Sequence, residues 1–337
     1  MTLRWNEMAV PNFCCASILL MSNMTFSSDL LRSALNFRDA ITGLSSNEVR
    51  DFCFAILDIA IKKIDLRYVL KWNPGKFVTF MGAMVEISRN NDAKFSREEK
   101  NVCNLLNNCP IYHEMLCLAD DVYGRQKVEL EGGWRAIRPP FGVVLNDVKS
   151  GLRSQIYKRE KSGRTEYAYA LAGTDPASIA DWENNVLQLG GESTQYVQSA
   201  KNAIMIAEMA KADNAKLFFT GHSLGGGLAS FCALATKQRA IVFNPAGVSE
   251  DTLDKLPNKP APQDYDALIE GFYTTNDILN LFQDASQLTD GMRLVFPHAL
   301  GRRYYVKSDC LSPIMSHTMR HMVEGVNAVR TLALSRK

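Results

Sequence analysis

The chain has 337 residues, of which 46% are hydrophobic and 22% charged, and its formal net charge is +2. This is the composition of an ordinary globular protein with room for one large or two unequal domains. A net charge so close to zero, with scattered Lys and Arg, argues against a nucleic-acid-binding protein.

The cysteines and the N-terminus bear on metal binding and on the cell compartment. None of the eight cysteines forms a Cys-x-x-Cys pair or clusters with His, so we expect no metal site. Most lie in apolar stretches, which indicates buried thiols in a reducing compartment. The short apolar stretch from Phe13 to Met21 follows only Arg4, which is a weak pattern for a signal peptide. We therefore expect a cytoplasmic protein, or one that is secreted without a clear signal peptide.

The first third of the chain, residues 25–115, has helical patterns and almost no strand signal. The predicted features, in chain order, are a helix at 27–36, a capping box at Ser45 and Glu48 before an apolar run at 49–61, an apolar segment at 76–87 after Pro74-Gly75, and a capping box at Ser96 and Glu99. We predict a helical N-terminal domain or cap over residues 1–115 and a second domain over 116–337.

From about residue 134, strands alternate with helices. The predicted elements are strands at 152–159 and 165–172 joined by a turn at 161–164, a helix at 194–211, a strand at 216–220, a helix at 224–236, and strands at 240–243 and 268–274. This alternation predicts the α/β class, with a mostly parallel sheet covered on both faces.

The motif that carries chemistry is Gly221-His222-Ser223-Leu224-Gly225, which fits G-x-S-x-G. It follows a predicted strand and opens a predicted helix, as a nucleophile elbow requires. A side chain at either glycine would collide with the neighbouring strand or helix. Ser223 would then project at a helix N-terminus, where the helix dipole favours a developing oxyanion. We predict that Ser223 is a nucleophile.

A serine nucleophile needs a base and an orienting acid, which follow it in the chain order Ser, acid, His. That order excludes two histidines and leaves three: His113 and His222 are excluded, and His298, His317 and His321 remain. Asp277 is the best acid because it lies just past the apolar strand at 268–274, at the edge of the sheet where active sites form. Asp284 and Asp290 are weaker alternatives.

Several segments together resemble the class 3 lipases, the fungal-type lipases and their bacterial relatives. They cover about residues 118–330 and are the elbow at 220–229, the strand end at 168–174, Asp181-Trp182 with Asn185, Phe243-Asn-Pro-Ala-Gly247, Thr275-Asn-Asp-Ile-Leu279 and Ser316-His-Thr-Met-Arg320. Ala172 is a departure, since that family usually has Arg there. The resemblance implies an α/β-hydrolase fold with the helical domain in front of it.

The resemblance also implies a role for each matching residue. Ser223 would be the nucleophile, Asp277 the acid and His317 the base, while the amides of Leu224 and Thr174 would form the oxyanion hole. His317 lies at a predicted helix start after Pro313, and His321, one helical turn later, is its rival.

We expect a lipase or phospholipase A that hydrolyses lipid esters at a membrane surface through an acyl-enzyme, with no metal or organic cofactor. Arg302, Arg303 and Lys307 could meet anionic headgroups, or could be solvated surface charges. Two alternatives stay open: a small-ester or thioester hydrolase on the same fold, and an inactive binding protein. The sequence leaves open whether an inhibitory protein partner exists.

Overall fold

The structure is a computed structural model that describes residues 74–125, 128–173, 194–256, 258–286, 297–310 and 313–335. Several sequence predictions lie outside the described residues. They are the helix at 27–36, the capping box at Ser45 and Glu48, the apolar run at 49–61, and the segment containing Thr174, Asp181, Trp182 and Asn185.

Two helices precede the sheet, α1 (Pro74–Asn108) and α2 (Ile111–Asp121). Helix α1 begins at the predicted breaker Pro74, a residue that is tolerated in the first turn of a helix. Its buried residues Ile87, Phe95, Val102 and Leu106 lie close to one stripe of the helix. The division of the chain at residue 115 stays a prediction.

The predicted capping box at Ser96 and Glu99 is wrong. Helix α1 runs straight through it, and the Ser96 hydroxyl donates to the Asp92 carbonyl one turn earlier (2.9 Å). The buried stripe continues on both sides of Ser96, so apolar packing keeps the chain helical. A serine with a glutamate three residues later is therefore not specific to a helix start, because both residues are also tolerated at exposed positions inside a helix.

The sheet has eight strands, and neighbours from β4 onward pair in parallel. Its strands are β1 (Arg135–Ile137), β2 (Asn146–Asp147), β3 (Leu152–Lys161), β4 (Arg164–Leu171), β5 (Lys216–His222), β6 (Arg239–Phe243), β7 (Ile269–Thr274) and β8 (Arg302–Val306). The order is β1-β3-β4-β5-β6-β7-β8, β2 pairs with β3, and the β1, β2 and β3 pairings are antiparallel. The prediction of a mostly parallel sheet is confirmed, whereas β1, β2 and β8 were not predicted.

The predicted hairpin turn is the tightest kind. Strands β3 and β4 extend to Lys161 and Arg164 and leave Ser162 and Gly163 between them. Both turn residues have positive φ, 51° and 73°, the backbone that matches the twist of a two-residue hairpin.

Helices cover both faces of the sheet. The remaining helices are α3 (Thr194–Ala212), α4 (Leu224–Thr236), α5 (Glu250–Leu253), α6 (Tyr265–Leu268), α7 (Ile278–Ser286), α8 (Pro313–Ser316) and α9 (Met319–Ser335). One apolar core lies between the sheet and helices α1, α2 and α9, and the other lies between the sheet and helices α3 and α4. Alternate residues of β4 enter opposite cores: Ala168 and Ala170 enter the first, Tyr167 and Tyr169 the second. The predicted helices at 194–211 and 224–236 and the two-sided cover are confirmed.

Among the described helices, none is both long enough and apolar enough to cross a bilayer.

Candidate active site

Ser223 lies at the bend between β5 and α4, with its side chain close to fully buried. Its backbone angles, φ 58° and ψ −128°, are far from those that a residue with a side chain prefers. Such backbone strain costs about 1–3 kcal/mol. The surroundings fix it: the Ser223 amide donates to the Phe243 carbonyl (3.1 Å), and its carbonyl accepts from the Gly226 and Ala246 amides (2.9 and 2.8 Å).

The two glycines of the motif allow this bend because neighbouring backbone passes directly over them. A Cβ atom at Gly221 would lie 2.7 Å from the Leu171 carbonyl oxygen. One at Gly225 would lie 2.8 Å from both the Ala172 carbonyl carbon and the Gly173 nitrogen. The glycine requirement inferred from the sequence therefore has a steric basis in the end of β4.

Three of the predicted site residues lie in one hydrogen-bonded series. The Ser223 hydroxyl lies 2.8 Å from His317 Nε2, and His317 Nδ1 lies 2.5 Å from Asp277 Oδ2. Because a carboxylate only accepts, His317 donates from Nδ1 and is left with Nε2 as an acceptor for the serine proton. All three side chains are buried.

Asp277 follows β7 and caps helix α7. Its second oxygen, Oδ1, accepts from the Asn280 amide (2.6 Å), and its carbonyl accepts from the Leu281 amide (2.9 Å). An aspartate just before a helix satisfies amides of the first turn that have no acceptor within the helix. Its two oxygens therefore have different partners, one in the helix and one on His317.

His317 lies in the short turn between α8 and α9 rather than within a helix. The carbonyl of the preceding Ser316 accepts from the Thr274 hydroxyl (3.1 Å) and from the Asn244 amide group (3.4 Å). Asn244 is itself fixed, because its side-chain oxygen accepts from the Thr274 amide (2.9 Å). The ends of β6 and β7 thus hold the turn that presents the imidazole.

The rival candidates have other partners. His321 Nδ1 bonds to the Thr318 hydroxyl (2.8 Å), and His298 Nδ1 bonds to the Arg303 guanidinium (2.9 Å). Asp284 pairs with that same guanidinium (2.6 Å), and Asp290 lies outside the described residues.

Arg303 fits neither of the two uses that the sequence left open for it, a contact with headgroups or a solvated surface charge. Its guanidinium pairs with Asp284 and lies over the Tyr273 ring, 4.6 Å from the ring centre. The Arg303 side chain therefore has its partners within the fold, while Arg302 and Lys307 are exposed.

The predicted oxyanion hole is described only in part. Leu224 is the first residue of α4, and the first amides of a helix have no acceptor within the helix. Thr174 lies outside the described residues, and Gly173 before it has little free space on this side, since a Cβ atom there would lie 3.2 Å from the Ser223 Cβ. The segment that follows β4 therefore passes close to the Ser223 side chain.

Two residues of the site, His222 and Tyr123, were not predicted. His222, which chain order had excluded as a base, donates from Nε2 to the His317 carbonyl (2.7 Å). Its Nδ1 lies 3.1 Å from the Tyr123 hydroxyl, and that hydroxyl also accepts from the Gly173 amide (3.1 Å). Burial, and after it the neighbouring His317, holds the pKa of His222 well below its usual value, so the ring is neutral at physiological pH.

This arrangement can support nucleophilic catalysis. A neutral imidazole oriented by a carboxylate can take the proton of a serine hydroxyl as that hydroxyl attacks a carbonyl. Amides at the helix N-terminus can stabilise the resulting oxyanion. Within the described ranges, no group of three or more His, Cys, Asp or Glu side chains could hold a metal ion.

Comparison with known proteins gives a family match and several similar proteins. A model of the Tle-like phospholipase domain matches residues 114–303. The extracellular phospholipase A1 of Serratia liquefaciens is 37% identical over 166 residues, which are 48% of this chain and 48% of that protein. The match therefore spans about half the length of that relative.

Two solved structures are similar to this chain at low identity. Lipase II from Rhizopus niveus has a TM-score of 0.40 and 12% identity, over 67% of this chain and 93% of its own. Carboxyl esterase 2 from the mycorrhizal fungus Tuber melanosporum has a TM-score of 0.30 and 12% identity, over 61% of this chain and 88% of its own.

Proposed function

Because the chain belongs to the Tle-like phospholipase domain family, we propose that it is a serine-dependent carboxylic ester hydrolase that acts on phospholipid. The observation that carries the proposal is the hydrogen-bonded series of Ser223, His317 and Asp277 at the elbow. The family match supports lipid ester hydrolysis, and the geometry supports a serine nucleophile as the means.

The proposed reaction has two halves. His317 Nε2 takes the hydroxyl proton as Ser223 Oγ attacks the ester carbonyl, while Asp277 stabilises the imidazolium. The Leu224 amide holds the oxyanion, and Thr174 supplies the second donor. His317 then protonates the leaving alcohol, and water activated by the same imidazole releases the fatty acid.

For the position of cleavage we propose the sn-1 ester, following the phospholipase A1 to which the chain is similar. The test uses vesicles of a phosphatidylcholine with different acyl chains at sn-1 and sn-2, and mass spectrometry identifies the products. We expect the sn-1 fatty acid and the 2-acyl lysophospholipid. Release of the sn-2 chain would contradict the position, and hydrolysis of short esters or thioesters alone would favour the small-ester alternative.

A lipid surface is the proposed partner, and two fully exposed apolar side chains support it. Phe141 and Val148 are 102% and 99% exposed. Val148 lies in the turn before β3. Ser154, near the start of β3, pairs with Leu171 at the end of β4, and Leu171 pairs with Gly221 at the end of β5. The turn with Val148 therefore lies at the same end of the sheet as Ser223. An exposed apolar side chain at that end of the sheet can enter the acyl region of a membrane. The cytoplasmic or extracellular location stays a prediction.

We expect the double variant Phe141→Ser and Val148→Ser to weaken vesicle binding at least roughly ten-fold, because each side chain loses the free energy of burial in lipid. Hydrolysis of a soluble short-chain ester should be unchanged, since neither side chain contacts the site residues. Co-sedimentation with phosphatidylcholine–phosphatidylglycerol vesicles measures the first effect. Unchanged binding would contradict this contact surface.

A further inference from the structure

A buried polar chain connects two parts of the site that are far apart in sequence. Tyr123 comes directly after α2, and both its ring and the ring of His222 are buried. The Tyr123 hydroxyl receives the Gly173 amide and contacts His222 Nδ1, each at 3.1 Å. On its other side, His222 Nε2 contacts the His317 carbonyl at 2.7 Å.

The direction of each hydrogen bond in this chain is fixed. A carbonyl only accepts, so His222 carries its proton on Nε2 and donates it to His317. The other ring nitrogen then accepts from the Tyr123 hydroxyl (3.1 Å), and the longer contact of that hydroxyl with the His222 carbonyl (3.4 Å) is the second acceptor for the same proton. That hydroxyl oxygen accepts from Gly173, so every buried group in the series has a partner. Hydrogen bonds that run in one direction strengthen one another.

We propose that Tyr123 and His222 are positioning residues that couple Gly173, in the segment after β4, to the backbone of His317. Through this coupling the oxyanion side and the base side of the site keep one fixed geometry around Ser223. This inference rests on the proposed function, which assigns Ser223 and His317 their roles.

The two ends of this hydrogen-bonded series, Gly173 and His317, lie where small displacements would change the reaction rate. Gly173 leaves no room for a side chain beside Ser223, and in sequence it directly precedes Thr174, the proposed second oxyanion donor. His317 carries the imidazole that must meet the serine hydroxyl. A displacement of about 1 Å at a reacting group costs on the order of a hundred-fold in rate.

The neutral state of His222 also suits this place. Its ring centre lies 5.0 Å from that of His317. When His317 becomes an imidazolium during the reaction, a neutral neighbour does not repel it, whereas a second cation would. The second imidazole therefore acts through hydrogen bonds alone.

The test compares Tyr123→Phe with the matched control Tyr167→Phe. Tyr167 also donates its hydroxyl to one side chain, Asp213, but at the opposite end of β4 from the site. We expect Tyr123→Phe to lower kcat on a phospholipid or soluble ester roughly ten- to a hundred-fold. KM should stay within about two-fold, because substrate binding is not altered. Tyr167→Phe should keep the wild-type kcat.

Two variants at position 222 give an independent check. His222→Gln keeps one donor and one acceptor, so it should retain more kcat than His222→Leu, which keeps neither. Proton NMR of the His317 Nδ1–H resonance follows the base directly. That resonance should shift in Tyr123→Phe and stay in place in Tyr167→Phe, and it can be read in protein that shows no turnover.

Equal kcat in the two tyrosine variants, or an unmoved His317 resonance in Tyr123→Phe, would overturn the coupling. A loss confined to KM or to thermal stability would do so as well, because it would show a packing role only. A wild-type protein that hydrolyses no ester would instead overturn the proposed function, and the resonance would still decide whether Tyr123 acts on His317.

Discussion

Replacing Ser223 with alanine is expected to lower phospholipid hydrolysis by roughly 10⁴-fold or more, as removal of a serine nucleophile does in comparable sites. The change removes a single buried oxygen that bonds to His317 and leaves the Cβ atom and the strained bend in place. The fold should therefore persist. Fatty acid release from phosphatidylcholine vesicles measures the rate, and thermal unfolding followed by circular dichroism checks the fold.

Ser230→Ala is the matched control, because Ser230 is also a buried serine, in the second turn of α4, and among the described residues its hydroxyl bonds only to the Gly226 carbonyl (2.8 Å). A fluorophosphonate probe, which reacts with activated serines, should label the wild type and Ser230→Ala but not Ser223→Ala. Full activity in folded Ser223→Ala would refute the serine mechanism. Absence of labelling in folded wild-type protein would favour an inactive binding protein.

The parts of the fold that the sequence predicted are those set by local pattern. Helix α4 begins and ends at the predicted residues because Gly221 and Gly225 permit the bend before it and Lys237 adopts the left-handed conformation after it. The apolar runs of β5, β6 and β7 are likewise recognisable as strands from the sequence alone. The resemblance to a lipase-like family, drawn from the same motifs, is confirmed by the family match.

What escaped prediction depends on contacts between distant residues. Strand β8 begins Arg302-Arg303, a pair that favours a solvent-exposed loop. In the fold Arg303 is neutralised by Asp284 and covered by the Tyr273 ring. These partners are distant from β8 in the sequence. The two arginines therefore gave no indication that this segment is a strand that pairs with β7.

The Tyr123–His222 connection was missed for the same reason. Chain order directs the search for a base to residues beyond Ser223, but it says nothing of residues that contact the proposed base through its backbone. Tyr123 lies 100 residues before the nucleophile and belongs to no motif. Only the packing of α2 against β5 brings it beside the elbow.

Replacing Asp277 with asparagine is expected to lower kcat by roughly 10⁴-fold, as the same change does in other Ser–His–Asp sites. The hydrogen bonds of Asp277 explain why. Oδ1 must accept from the Asn280 amide, so the asparagine oxygen takes that place and its NH₂ group faces His317. An NH₂ group cannot accept from Nδ1, so the imidazole proton moves to Nε2 and can no longer receive the serine proton. Initial rates on a soluble ester, measured across pH, test this expectation.

Asparagine caps helices about as well as aspartate, so α7 should keep its start and the thermal midpoint should change little. The matched control is Asp254→Asn, at an exposed aspartate whose only side-chain partner in the described structure is Lys259. If Asp277→Asn keeps the wild-type rate while Asp284→Asn loses it, the acid assignment is wrong and the acid lies on α7. If Asp277→Asn alone loses activity while its stability is unchanged, Asp277 acts by orienting the base and not by maintaining the fold. This follows because the variant changes which imidazole nitrogen carries the proton and leaves the helix cap intact.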